Sequence, residues 1–416
     1  MGQIRTLRCI SCGSEYAPNT IDYTCPACGA RRGTLEVLYN YDRLRRDLTR
    51  ESFAQSRSPS MWRYMPLLPI EGKAHIQPLR VGWTPTYRFP GLAAELGLSE
   101  LILKDDGQNP TASYKDRASA VAVIKAQEKG RSVITCASTG NAASSLAGFA
   151  ASTSLKTVIF VPETAPEAKV TQLLIYGARV FLVKGSYDQA YDLASEAAES
   201  FDWYNRSAAV NPYLVEGKKT GALELAEQLE WSLPDAVFVS VGDGSVISGL
   251  CKGFAELQRI GLIAQSPQVV GVQAEGAAPI AAAFAHYEGG DVTIEDIEAS
   301  TIADSICVGA ARDIVKAVTY VHSNGGRIIT VSDRAILDAI AFLAGRTGVF
   351  AEPAAAAAFA GVQHLAASGD LKRKSAAVVI TGSGLKDVGA ARRAVDDPIR
   401  IEPSLDQVKE HLCKFI

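Results

Sequence analysis

The sequence has little net charge and no long apolar run, and each lack removes a class of function. With 42 basic against 45 acidic residues among 416, the formal net charge is -3. No global field exists to hold nucleic acid or an anionic membrane surface. No uninterrupted apolar stretch approaches the ~20 residues needed to cross a bilayer, and no basic-then-apolar secretory signal stands at the N-terminus. Eight cysteines are too few for a disulfide framework in a chain this long, so the expected compartment is a reducing cytoplasm. What remains, at 47% hydrophobic and 21% charged residues, is the profile of a large soluble multidomain enzyme.

The cysteines are few but unevenly spread. Cys9, Cys12, Cys25 and Cys28 form two Cys-x2-Cys knuckles, each followed by a glycine, Gly13 and Gly29. A knuckle must turn tightly to aim two thiolates at one tetrahedral ion, and glycine supplies the backbone freedom. Four thiolates without a nearby histidine close the coordination sphere, so the pattern points to a structural zinc ribbon rather than a catalytic metal. A ribbon that folds without metal, or a redox pair, remains the alternative reading. Arg31 and Arg32 follow the second knuckle, but without interleaved aromatics or a basic excess they do not make a nucleic-acid surface.

Beyond the ribbon, Arg43, Arg45, Arg46 and Arg50 lie among acidic residues and read as a solvated helix face. Residues 56–85, rich in Pro, Ser, Arg and Trp, read as an extended linker or arm. From Leu101 onward short β-rich runs alternate with Ala-rich helical segments; the runs fall at 101–103, 133–135, 157–161, 180–183, 236–241, 269–272, 327–331 and 376–380. This β-then-α alternation predicts an α/β fold with parallel open sheets covered by helices on both faces. In such folds ligands bind at the loops leaving the carboxyl ends of strands.

Four of those loops stand out. Asn109-Pro110-Thr111-Ala112-Ser113-Tyr114-Lys115-Asp116-Arg117 follows the first run, and Ala137-Ser138-Thr139-Gly140-Asn141 the second. Gly242-Asp243-Gly244-Ser245 and Thr381-Gly382-Ser383-Gly384 follow two later ones. The Gly242–Ser245 loop either cradles a phosphate on backbone N–H groups at a helix start or is only a tight turn. It is not a dinucleotide fingerprint, because Ile247 stands where the third glycine belongs, and it is not a Walker loop. Lys115, about one turn into a helix, has its ammonium disfavoured by the helix dipole, which favours the neutral amine that imine-forming chemistry needs. A lysine of that kind beside a separate phosphate cradle suggests pyridoxal phosphate.

The lysine segment resembles that of threonine synthases and their fold-type II pyridoxal phosphate relatives, usually Asn-Pro-Thr-Gly-Ser-Phe-Lys-Asp-Arg. Gly82-Trp83-Thr84-Pro85, the Asn141 loop, Val210-Asn211-Pro212 with Glu216-Gly217-Lys218-Lys219-Thr220, Glu352-Pro353-Ala354 and the Thr381 loop to Asp387 resemble further segments of the family, in order. The resemblance covers about residues 80 to 390. It implies two open-sheet α/β domains of the tryptophan synthase β-like kind. The division expected is a zinc-ribbon-like segment over 1–36, a large cofactor domain over 37–116 and 215–416, and a smaller mobile domain over 117–214. It further implies that Lys115 carries the cofactor covalently and then moves protons among Cα, Cβ and Cγ. Asn141 would bond the cofactor's phenolic oxygen, and Gly242, Asp243, Gly244 and Ser245 would hold its phosphate. Thr381 would face the pyridine nitrogen, where a neutral hydroxyl leaves the ring a weaker electron sink. Ser138 and Thr139, together with Asn141, would bind the substrate, the first two at its carboxylate. The expected partner is a small amino-acid substrate, without nucleic acid or membrane, and the expected assembly is a homodimer.

The match loosens at the substrate end. Where threonine synthases commonly carry Asn-Ser before Val-Asn-Pro and an Arg shortly after it, this chain has Ala208, Ala209 and Leu214. A phosphate dianion needs charge-assisted partners, and Arg206, Lys218 and Lys219 are the nearby cations. Asp243 is a second departure, since a carboxylate repels phosphate unless it turns away to accept neighbouring backbone N–H groups. Two enzymatic readings follow: a threonine synthase acting on O-phosphohomoserine, or β-elimination or β-replacement on a serine-, threonine- or phosphoserine-type amino acid. A regulatory or metal-binding protein that keeps the fold without turnover is the remaining class, and the joint retention of Lys115, Asn141 and Thr381 speaks against it.

Overall fold

Thirteen strands carry the architecture of the computed structural model, which describes residues 4–18, 20–208 and 210–412. In chain order they are β1 (Ile4–Cys9), β2 (Glu15–Tyr16), β3 (Leu35–Tyr39), β4 (Thr86–Arg88), β5 (Glu100–Asp105), β6 (Val133–Ala137) and β7 (Lys156–Pro162). β8 (Arg179–Val183), β9 (Tyr204–Asn205), β10 (Ala236–Ser240), β11 (Gln268–Ala274), β12 (Arg327–Val331) and β13 (Ser375–Ile380) complete them. They form a three-stranded antiparallel sheet β2-β1-β3, a six-stranded sheet β12-β11-β10-β13-β5-β4 and a four-stranded parallel sheet β8-β7-β6-β9. Every β-rich run expected from the sequence is a strand. β4 and β9 escaped notice because three and two residues are too short to show a pattern.

The six-stranded sheet is parallel except for β4 at its edge. Its central strands read as unbroken apolar runs, Ala236–Val239 and Ala376–Ile380, buried on both faces, as helices on both sides of a parallel sheet require. β13 pairs in register with β5 from Ser375↔Glu100 to Ile380↔Asp105, and with β10 from Ala236↔Ala376. The carboxyl ends of β5, β10 and β13 therefore open on one edge, delivering the Lys115, Gly242 and Thr381 loops together.

Residues 56–85 are not a free linker. Met61, Trp62, Tyr64, Leu67, Leu68 and Ile70 are buried, Arg63 pairs with Glu227 and stacks 3.9 Å over Trp83, and the segment is an arm laid into the core by its aromatic anchors. The arginines at 43–50 are exposed as expected. Two of them also close a helix end: Arg45 donates to the Arg259 carbonyl, and Arg50 to that of Leu262 at 2.7 and 3.0 Å. Cations belong at that carbonyl-rich end of the Ser245–Arg259 helix.

The cysteine segment folds against both flanks of the cleft. Tyr23 accepts the Asn205 backbone N–H at 2.8 Å. Thr34 donates to Asp313 at 3.1 Å, Arg31 pairs with Asp296, and Tyr39 donates to Glu216 at 2.8 Å. Arg31 is thus engaged within the chain.

Beneath the Lys115 loop lies a buried ion network. Arg117, fully buried, donates to Asp106 at 2.6 and 2.9 Å and to Glu224 at 2.7 Å twice; Lys104 pairs with Glu224 at 2.9 Å, and Thr84 donates to Asp106 at 2.6 Å. Gly82, at φ +72°, comes so close that a Cβ there would stand 2.3 Å from the Glu224 carboxylate. Asn109 accepts the Gly82 N–H at 2.9 Å and donates to Asp106. Removing one partner of such a network leaves buried charge uncompensated, at a cost of roughly 3–5 kcal/mol. Arg117→Leu should lower the unfolding free energy of the cofactor-free protein, measured by urea titration, by that amount; a loss under about 1 kcal/mol would show that the network is dispensable.

Candidate active site

One cavity of about 740 Å³ collects every cofactor and substrate residue expected from the sequence: Lys115, Ser138, Thr139, Asn141, Gly242, Asp243, Gly244, Ser245 and Thr381 all line it. Lys115 opens the Lys115–Glu128 helix, and its loop is pinned from several sides. The Tyr114 N–H donates to the Thr381 carbonyl at 2.8 Å, and Ser383 N–H to that of Ala112 at 3.1 Å. Asp116 accepts from the Thr111 N–H at 2.7 Å and from the Thr111 hydroxyl. Ala112 sits at φ +62°, a left-handed conformation that favours glycine. That accounts for the glycine usual at this place in the related motif.

The Lys115 side chain opens onto the cavity, and among the described residues no hydrogen bond or ion pair reaches its amine. Burial pushes its ammonium below the ordinary lysine range; Arg206 pushes the same way, while Glu352 and Asp243 pull it back. Glu352 is a site residue whose role the sequence did not disclose, although Glu352-Pro353-Ala354 was visible as a motif. The Asn141 amide donates to both its carboxylate oxygens, at 2.9 and 3.0 Å. Burial raises the Glu352 carboxyl, against the opposing pull of Asn141 and Lys115. A side chain at 382 would displace the Glu352 carboxylate, because a Cβ there would lie 2.4 Å from its Oε1.

The Gly242–Ser245 turn feeds the fifteen-residue helix Ser245–Arg259. Gly244 has φ +95°, and a Cβ there would meet Ala317 at 2.7 Å, so no side chain fits at this position of the turn. Asp243 turns away as the phosphate reading needs: its carboxylate accepts the Arg312 N–H at 3.3 Å and its carbonyl the Asp313 N–H at 3.1 Å. Lys218 donates to Ser245 Oγ at 2.5 Å. Its ammonium is pushed well below the usual range by burial and by the like charges of Lys115 and Arg206. Thr381 Oγ1 lies 3.4 Å from Ser240 Oγ, and among the described residues no carboxylate is bonded to it.

The expected substitutions at the substrate end resolve differently. Ala208 lines the cavity. Leu214 does not: it is fully buried in the apolar core on the Tyr213–Lys218 helix. Ala209 lies outside the described residues. Lys219 is locked between Glu216 and Glu256, 2.6 Å from the latter, and does not line the cavity. Residues 296–312, a wall of the cavity that the sequence gave no means of finding, carry mostly irregular structure. Lys169–Asp304 and Arg312–Asp188 tie that wall to the elements around the four-stranded sheet.

Residues 78–382 match the family described as "Pyridoxal-phosphate dependent enzyme". The chain belongs to that family. It is 40% identical to threonine synthase of Methanocaldococcus jannaschii over 97% of this chain and 98% of that one, and 34% identical to threonine synthase of Methanosarcina acetivorans over the same shares. In fold it is similar to an L-serine ammonia-lyase of Rhizomucor miehei, with a TM-score of 0.65 at 21% identity over 75% of this chain and 96% of that one. The cavity fits the family's cofactor on its own geometry. It offers an unbonded lysine amine, a glycine-bearing turn at a helix N-terminus, and Lys218 without a carboxylate partner among the described residues.

The four sulfurs of Cys9, Cys12, Cys25 and Cys28 lie within 4.8 Å of one another, Cys12 and Cys25 at 3.7 Å. A tetrahedral ion with bonds of about 2.3 Å separates its sulfurs by about 3.8 Å. Gly13 and Gly29 have φ +73° and +69°, the left-handed turns expected of each knuckle.

The electrostatics of Lys115 are testable without substrate. Competitive acetylation of the cofactor-free protein across pH should give Lys115 a midpoint below the ~10.4 of an ordinary lysine. Arg206→Gln, by removing a like charge, should move that midpoint upward; an unshifted Lys115 would contradict this account.

Proposed function

We propose that the protein is a threonine synthase, converting O-phosphohomoserine and water into threonine and phosphate. The observation that carries this reading is the 40% identity to a threonine synthase across nearly the whole of both chains. The convergence of Lys115, Asn141, Thr381 and the Gly242–Ser245 turn on one cavity supports it. When bound, pyridoxal phosphate supplies an electron sink that lets protons leave Cα and Cβ of the amino acid and the γ-phosphate depart, before water adds at Cβ.

The chain's own residues supply the rest. Lys115 is the covalent attachment point, and its amine, whose ammonium form burial disfavours, takes and returns protons at the substrate carbons. Asn141, oriented by Glu352, bonds the cofactor's phenolic oxygen. Backbone N–H groups of Gly242, Asp243, Gly244 and Ser245, the Ser245 hydroxyl and the Lys218 ammonium hold the cofactor phosphate. Thr381 offers the ring nitrogen a neutral hydroxyl. Ser138 and Thr139, at the start of the Asn141–Ala150 helix, bind the substrate carboxylate. Cys9, Cys12, Cys25 and Cys28 hold one structural zinc. Residues 1–36 form the ribbon, 37–116 with 215–416 the cofactor domain and 117–214 the smaller domain, in a cytoplasmic homodimer.

Ala208 on the cavity wall favours a second reading, elimination or replacement on a serine- or phosphoserine-type amino acid. Purified protein given O-phosphohomoserine should release threonine and phosphate in equal amounts, and Lys115→Ala should release neither while remaining folded. Pyruvate or 2-oxobutyrate from phosphoserine, serine or threonine, with no threonine from phosphohomoserine, would replace the first reading by the second. Elemental analysis should find one zinc per chain, lost in Cys9→Ser or Cys25→Ser; native protein without zinc would refute the metal assignment.

A further inference from the structure

Two arginines are almost wholly buried, Arg117 at 0% and Arg206 at 2% exposure, and their surroundings are opposite. Arg117 spends its donors on Asp106 and Glu224. Arg206 makes two side-chain hydrogen bonds among the described residues, from Nε and Nη2 to the single hydroxyl of Ser119 at 3.3 and 3.2 Å. No described carboxylate forms an ion pair with it. A guanidinium carries five N–H donors in a fixed fork, and a buried cation with most of them unspent is costly unless an anion completes it. Arg206 lines the cavity.

The other cations of that cavity are engaged. Lys115 is the cofactor's attachment point, Lys218 bonds Ser245 at the helix N-terminus, and Arg312 pairs with Asp188 at 2.7 Å while stacking 3.9 Å over Tyr191. We propose that Arg206 is the specificity-determining residue of this site, presenting its open fork to the phosphate of an O-phosphorylated amino acid in place of the polar group that Ala208 lacks. This rests on the threonine synthase reading for the identity of the amino acid, but not for the recognition of phosphate. A planar fork matches a phosphate in two parallel hydrogen bonds. The backbone that bears it is fixed: the Arg206 N–H donates to the Thr135 carbonyl at 2.9 Å, and the preceding Asn205 N–H to Tyr23 at 2.8 Å. Ser119 holds the guanidinium from behind, so little order has to be gained on binding.

The test uses the holoenzyme, with inorganic phosphate as the binding probe and O-phosphohomoserine as substrate. Arg206→Gln should weaken phosphate binding, measured by calorimetry, and raise the KM for phosphohomoserine, each by roughly 30-fold or more. The cofactor absorbance and the cofactor content should stay as in the parent, and kcat should change far less than KM. Arg206→Lys, which keeps the charge but not the fork, should recover part of the affinity and serves in its place if the glutamine variant does not fold. Unchanged phosphate affinity and KM in both variants would overturn the proposal, and so would loss of the cofactor, which would assign Arg206 to the cofactor phosphate instead. Should the parent protein turn over phosphoserine but not phosphohomoserine while phosphate binding still depends on Arg206, the threonine synthase reading fails and the role of Arg206 stands.

Discussion

The bidentate grip of Arg117 on Asp106 and Glu224 is the constraint on which the site depends. It joins the exit of β5, the first turn of the Lys115 helix and the helix that carries Thr220 and Glu224, and through Thr84 and Gly82 it fixes the arm before β4. Lys115 stands two residues before Arg117, so its position is inherited from a network that does not line the cavity. Much of what makes the lysine motif recognisable is scaffolding. Asn109 orders the arm, Asp116 closes the turn at Thr111, and only Lys115 of that segment lines the cavity.

Buried charge occurs here in two forms. Around Arg117, and around Lys219 and Lys252 with Glu216 and Glu256, each cation meets carboxylates and the result is rigidity. Around Lys115, Lys218 and Arg206 the cations face hydroxyls, one another and the cavity, and their charged forms are all disfavoured. The first kind stores no capacity to bind. The second kind is completed by anions, and a cofactor phosphate and an anionic amino acid are anions of the right size for a cavity of about 740 Å³.

Much of this was legible in the sequence. The strands showed as apolar runs, and because ligand loops sit at the carboxyl ends of parallel strands, the order of motifs already placed Lys115, Asn141, Gly242 and Thr381 in one cleft. What escaped was three-dimensional. Leu214 follows the Val-Asn-Pro segment closely enough to suggest the pocket, yet the helix it lies on turns it into the core. Adjacent Lys218 and Lys219 look alike in sequence, and a rotation of about 100° along a helix sends one to the cavity and the other to two glutamates. Glu352 was visible only as part of a motif, since its meaning comes from Asn141, 211 residues away. Residues 56–85 have the composition of a linker, yet the stretch 61–70 within them has the burial of a core.

The seating of the cysteine segment bears on the order in which the molecule is made. Its partners lie far along the chain: Asn205 is 182 residues from Tyr23, Asp296 is 265 from Arg31 and Asp313 is 279 from Thr34. The cysteine segment is thus among the last parts to dock, because contacts of such sequence separation wait on loop closure. Two tight knuckles give it a way to hold its own shape through that interval. The cleft acquires its outer buttress only after the polypeptide beyond Asp313 has emerged.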